Sequence, residues 1–163
     1  MIRIFIGFDE RETVAWHVLT HSILARSSQP VAFTPLALNN LQGVFTRKRE
    51  PLQSTDFSFS RFLTPYLSGY EGWSLFMDCD MLVRRDIAEL WALRDERYAV
   101  MCVQHDHRPK ETVKFLDQPQ TAYGKTVAHV AQVAGSEHRL CMAVAGSVET
   151  IPGGLADVEA AAA

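Results

Sequence analysis

A chain of 163 residues with 47% hydrophobic and 21% charged side chains has the composition of a soluble globular protein and enough length to bury one real core. Its formal charge of -3 lacks the basic excess of a general nucleic-acid binder, and no apolar stretch reaches membrane-spanning length, so neither nucleic acid nor a membrane span is expected. Three cysteines, Cys79, Cys102 and Cys141, show no zinc-like spacing and read as reduced thiols; with an opening "MIRIFIGFDE" that turns acidic too early for a signal peptide, a cytoplasmic location is expected.

In chain order, "IRIFIG" at residues 2–7 reads as a short buried strand stopping at Gly7. "TVAWHVLTHSILAR" reads as a helix with Val14, Val18, Leu19 and Ile23 on one stripe. "VAFTPLAL" is a second strand, and Pro35, which cannot donate to a ladder, points to an edge or an irregularity. After a loop, Asp56 is placed to cap a helix "FSFSRFLTPYL", on which Phe57 and Arg61 lie four apart on a shared face. "SGYEGW" is a turn, "WSLFM" a third strand ending at Asp78, and Asp86 with Glu89 resembles a capping box opening "IAELWALRDE". "YAVMCVQ" is a fourth strand. This β-α-β-α-β-α-β order predicts an α/β fold with a mostly parallel sheet covered by helices on both faces.

In open α/β sheets the ligand crevice lies beyond the carboxyl ends of the strands, where "DCD" falls. If the backbone stays extended through the pair, Asp78 and Asp80 project to one side, and two carboxylates that converge need a positive group between them. Oxygen ligands select a hard divalent ion such as Mg²⁺ or Mn²⁺, which commonly keeps positions open for phosphate oxygens. Two other polar clusters read as ordinary surface: "HDH" at residues 105–107 as a polar turn, and "RKR" at residues 47–49 as a solvated loop. Phosphate-loop, nucleophile-elbow and dinucleotide glycine patterns are absent from the sequence.

The succession "IFIGFDERE", "DFSFSRFLTPYL" and "GWSLFMDCDMLVRRDIAELW" resembles the donor-binding half of GT-A fold glycosyltransferases, nearest to the group of glycogenin and the bacterial lipopolysaccharide galactosyltransferases, over residues 1–123. The resemblance implies a Rossmann-like nucleotide-sugar-binding sheet and a nucleotide-diphosphate sugar, expected to be a UDP-sugar, as donor to an undefined acceptor. It implies Mn²⁺ (or Mg²⁺) as cofactor. By the same resemblance Asp80 ligates the metal, Asp78 contacts the ribose or the metal, Arg61 faces the acidic pair or the diphosphate, and Gly7, Phe8 and Asp9 receive the nucleobase.

All sixteen aromatic residues fall at or before Tyr123, and ten of the last forty residues are alanine, so residues 124–163 form a separate compositional segment. Small side chains fill little interior, and this tail is expected to pack loosely. The acceptor half of the resembled enzymes is thus expected to be missing or divergent in this chain. Two alternative readings are a nucleotide-sugar-binding remnant without turnover and a phosphatase of the haloacid dehalogenase type, whose first aspartate in a D-x-D pair is the nucleophile.

Overall fold

A computed structural model describes residues 1–49, 53, 55–98 and 100–103, together with four short strands further along the chain. The architecture is mixed α/β. Strand β1 (Ile2–Gly7) pairs in parallel with β2 (Val31–Leu36) on one side and with β3 (Trp73–Met77) on the other. β1 and β3 read as nearly unbroken apolar runs because a strand with neighbours on both edges and layers on both faces has no wet side. Ile2, Ile4, Phe5, Ile6, Leu75, Phe76 and Met77 are all buried. β2 lies at the sheet edge with Pro35 opposite Ile6, the place where a residue without an N–H disrupts least.

Beyond β3 the sheet continues with β4 (Val100–Val103), β7 (Arg139–Ala143) and β8 (Val158–Ala161), in the order β2-β1-β3-β7-β4-β8, where only the β4–β8 pairing is antiparallel. A separate antiparallel pair joins β5 (Val113–Lys114) to β6 (Gln118–Pro119). Most of residues 124–163, and with them the expectation of loose packing, lie outside the described residues; so does "HDH".

Helix α1 (Thr13–Leu24) connects β1 to β2, and its inward stripe differs from the expected one. Leu19 and Ile23 are buried as expected, but Val14 and Val18 are exposed, and the stripe runs instead from Trp16 through Leu19 and Thr20 to Ile23. Both stripes satisfy helical spacing; the one carrying the indole has more apolar area to remove from water. Thr20 is tolerated inside because its hydroxyl donates to the Trp16 carbonyl at 3.0 Å.

The expected helix over residues 57–67 is broken into turns, a 3₁₀ segment (Ser60–Leu63) and a single α-turn, α2 (Thr64–Leu67). Pro65 lacks an N–H and its ring crowds the carbonyl four residues back, so an α-helix cannot run through it but can begin at it. That carbonyl, of Arg61, accepts from the Thr64 hydroxyl at 2.8 Å instead. Nor does Asp56 cap a helix: its carboxylate pairs with Arg49 at 2.9 Å.

The turn after α2 has Gly69, Tyr70 and Gly72 at positive φ, and Arg3 of β1 reaches across to donate to the carbonyls of Ser68 at 3.1 Å, Trp73 at 3.3 Å and Glu71. Asp86 caps helix α3 (Ile87–Ala92) by accepting from the Ala88 N–H at 2.9 Å. The reciprocal half of a capping box is not made by Glu89, whose carboxylate pairs with Arg85 at 2.6 Å. No described helix is long and apolar enough to cross a membrane.

Candidate functional site

The direction of the connections locates the site. From β1 the chain moves to one side to form β2, then returns past β1 to form β3, so right-handed crossovers place α1 and the segment containing α2 on opposite faces. The order reverses between β1 and β3. Their carboxyl ends are level, Ile6 being opposite Met77, and the loops that leave them are Gly7–Phe8–Asp9 and Asp78–Cys79–Asp80. A crevice at such a reversal is where open α/β sheets bind ligands.

Gly7 is there because nothing larger fits: a Cβ on it would lie 2.3 Å from the Phe57 ring. Phe57, itself buried, contacts the next member of the site. The Arg61 guanidinium sits 5.3 Å from the ring centroids of both Phe57 and Phe76, donates through Nε to the Phe57 carbonyl at 3.4 Å, and places Nη1 3.2 Å from Asp78 Oδ1. Arginine suits this position, since its weakly hydrated plane packs between aromatic faces while its edge meets a carboxylate. The structure therefore brings Arg61 and Asp78 together as expected.

The two aspartates diverge in environment. The backbone does not stay extended through the pair: β3 ends at Met77 and a turn begins at Cys79, leaving Asp78 8% exposed and Asp80 in the open. The cause is Cys79, whose thiol is drawn inward and donates to Glu12 Oε2 at 3.1 Å. Burial first, then this hydrogen bond and the surrounding carboxylates, push the Cys79 thiol far above its ordinary range, which rules it out as a thiolate nucleophile. A second tie follows, where the Val83 N–H donates to the buried Ser22 hydroxyl at 3.0 Å. Helix α1 thus holds the segment after β3 from below. Glu12 and Ser22 were not singled out from sequence; no motif marks them, because their partners are distant in the chain.

Phe8 packs edge-on against Trp16, with ring centroids 6.3 Å apart. Asp9 is buried and heavily engaged within the protein. Its Oδ1 accepts from the Arg11 N–H at 3.0 Å and Nε at 2.8 Å, while Oδ2 meets Arg11 Nη2 and accepts from the Asp56 N–H at 3.1 Å. The Arg11 side chain, with burial opposing and the two backbone N–H groups assisting, holds the Asp9 carboxyl down at about 2. Asp9 is thereby the hub that fastens the loop after β1 to the loop before α2. Of the "RKR" loop, Arg49 joins this hub through Asp56, and Arg47 stacks over Phe59 at 3.9 Å.

Among the described residues no group of three or more His, Cys, Asp or Glu side chains could hold a metal ion. With the turn at Cys79 the convergence expected of an extended pair is not made: Asp78 faces Arg61, and Asp80 is the exposed carboxylate. Hard ions such as Mg²⁺ are commonly held by one or two carboxylates with phosphate oxygens and water completing the shell, so a single exposed carboxylate here fits an ion bound together with a phosphorylated ligand rather than one in a protein cage.

Protein CDI of Arabidopsis thaliana is 54% identical to this chain over 123 residues, covering 74% of this chain and 48% of the plant protein. The chain thus spans about half the length of the curated relative it matches. No family model matches the chain, and no solved structure does.

Proposed function

We propose that the chain is the donor-binding half of a metal-dependent GT-A type glycosyltransferase, taking a sugar from a nucleotide-diphosphate donor, a UDP-sugar, for transfer to an undefined acceptor. The observation that carries this reading is the position of an exposed Asp80 immediately beyond a buried, arginine-paired Asp78, at the carboxyl end of an interior parallel strand beside the sheet's order reversal. Asp80 is the oxygen ligand free to turn toward solvent and Mn²⁺ or Mg²⁺. Asp78, fixed by Arg61, presents an aligned acceptor edge to a ribose hydroxyl or to the ion. When bound, the ion acts as a Lewis acid on the diphosphate leaving group. Arg61 adds a fixed cation beside Asp78, and Gly7 lets the Phe57 ring that flanks Arg61 pack against the end of β1. Phe8, which follows Gly7 in the loop leaving β1, is the aromatic residue proposed to receive the base. A dehalogenase-type phosphatase needs its first aspartate free to attack phosphorus, and a buried Asp78 held by Arg61 suits that role poorly.

Calorimetric titration with UDP tests the reading. UDP is expected to bind in Mn²⁺ and to lose most of its affinity in EDTA, and Asp80→Ala is expected to remove most of the metal dependence. Equal affinity with and without metal would overturn it.

A further inference from the structure

Between β1 and α1 the chain makes one 3₁₀ turn, Glu10–Glu12, whose last residue is fixed at two points. The Glu12 N–H donates to the carbonyl of Asp9, in the loop that leaves β1, at 2.9 Å, and the Glu12 carboxylate accepts from the thiol of Cys79, in the loop that leaves β3, at 3.1 Å. One half-buried residue therefore spans the two loops of the crevice. For stability alone an acceptor here is worth little, because a thiol is a weak donor and a buried cysteine packs as a small apolar group without one.

The bond matters for the residue beside it. From Cys79 to Arg84 the side chains alternate: Cys79, Met81 and Val83 are buried, while Asp80, Leu82 and Arg84 are exposed. With Cys79 drawn in, Asp80 is turned out. The Val83 N–H, held by the Ser22 hydroxyl at 3.0 Å, fixes the far end of this stretch, so Asp80 lies between two ties of which Glu12 makes the nearer. We propose that Glu12 is a positioning residue for the metal: by holding the Cys79 thiol it sets the direction of the Asp80 carboxylate and its separation from the loop proposed to receive the base. A metal with few protein ligands depends heavily on such support, and losing an outer hydrogen bond of this kind commonly costs roughly 10–100-fold in metal affinity. The inference rests on the donor reading above and adds to it a link between the base side and the metal side of the crevice.

The test compares the gain in UDP affinity that Mn²⁺ gives over EDTA, by calorimetric titration, in the wild-type chain, Glu12→Ala and Glu12→Gln, at a temperature where all three share one circular dichroism spectrum. Glu12→Ala should shrink that gain about tenfold. Glu12→Gln, whose amide oxygen still accepts from the thiol, should keep it. With no ligand present, amide hydrogen exchange over residues 79–81 should quicken severalfold in the alanine variant and stay at the wild-type rate in the glutamine variant. An undiminished gain in Glu12→Ala would overturn the positioning role and leave the donor reading standing. A gain lost equally in both variants would overturn it too, because the charge and not the hydrogen bond would then be at work. No Mn²⁺ gain in the wild-type chain would overturn the donor reading itself, and this inference with it.

Discussion

Arg61 is clasped between the rings of Phe57 and Phe76 with its Nη1 3.2 Å from the Asp78 carboxylate, so the end of the central strand is held by a cation that is largely out of water. An ion pair in that setting returns little when both partners are present and costs much when one is removed.

Arg61→Ala is therefore expected to lower stability by about 3 kcal/mol, far more than the ~0.5 kcal/mol typical of an exposed arginine. Adding Asp78→Asn should recover roughly half of the loss, because the orphaned charge goes with it. Urea unfolding of the two variants decides the point, and a single-variant loss no larger than that of a surface residue would contradict the buried assignment.

Gly7→Ala brings a methyl group to within 2.3 Å of the Phe57 ring, which is buried and cannot swing away freely. A cost of about 2 kcal/mol is expected from overpacking. Combined with Phe57→Leu, the two losses should sum to less than their separate values, the mark of a direct clash. Strict additivity in thermal or urea unfolding would place the two side chains apart.

Asp9 supplies an acid-limb prediction. Its carboxyl is held at about 2 against an ordinary 3.8, so the folded state releases this proton more readily than the unfolded chain. The resulting stabilisation, about 2 kcal/mol, is fully present above the unfolded value and is lost as pH falls from about 4 to 2. Asp9→Asn should flatten the stability profile across that window and lower the plateau above it. An unchanged slope between those pH values would show that Asp9 does not carry it.

Cys79 should resist alkylation in the folded protein. Its thiol is buried, bonded to Glu12 and pushed up in pKa, so the thiolate that reacts is scarce. Mass spectrometry after iodoacetamide is expected to find Cys79 unlabelled in buffer and labelled in urea, and Glu12→Gln should not make it reactive while the fold persists. Rapid native labelling would contradict the burial.

What was legible in the sequence follows from how local each cause is. β1 and β3 announce themselves because a strand buried on both faces is apolar at nearly every position, and Pro35 marks the edge because its missing N–H is a property of one residue. The Phe57–Arg61 spacing survived even though the helix expected to produce it did not, since a single helical turn is kept there, the Arg61 N–H donating to the Phe57 carbonyl at 3.2 Å. The inward side of α1 was not legible: two apolar stripes share the helix, and only the sheet beneath chooses Trp16 over Val14. Nor was the divergence of Asp78 from Asp80, where a thiol finds a carboxylate just ahead of α1 that the local pattern does not mention.

The contacts of Arg3 reach further than the turn they staple. Three carbonyls of the 68–73 segment converge on one guanidinium from β1, so β3 begins at a fixed offset from its neighbour. In a strand whose successive side chains point to opposite faces, an error of one place in that offset would exchange the two faces. Phe76 and Asp78 would then point away from Arg61, and Cys79 would take their side. A residue at the opposite, amino-terminal edge of the sheet thus decides which carboxylate reaches the crevice, although it never comes near it.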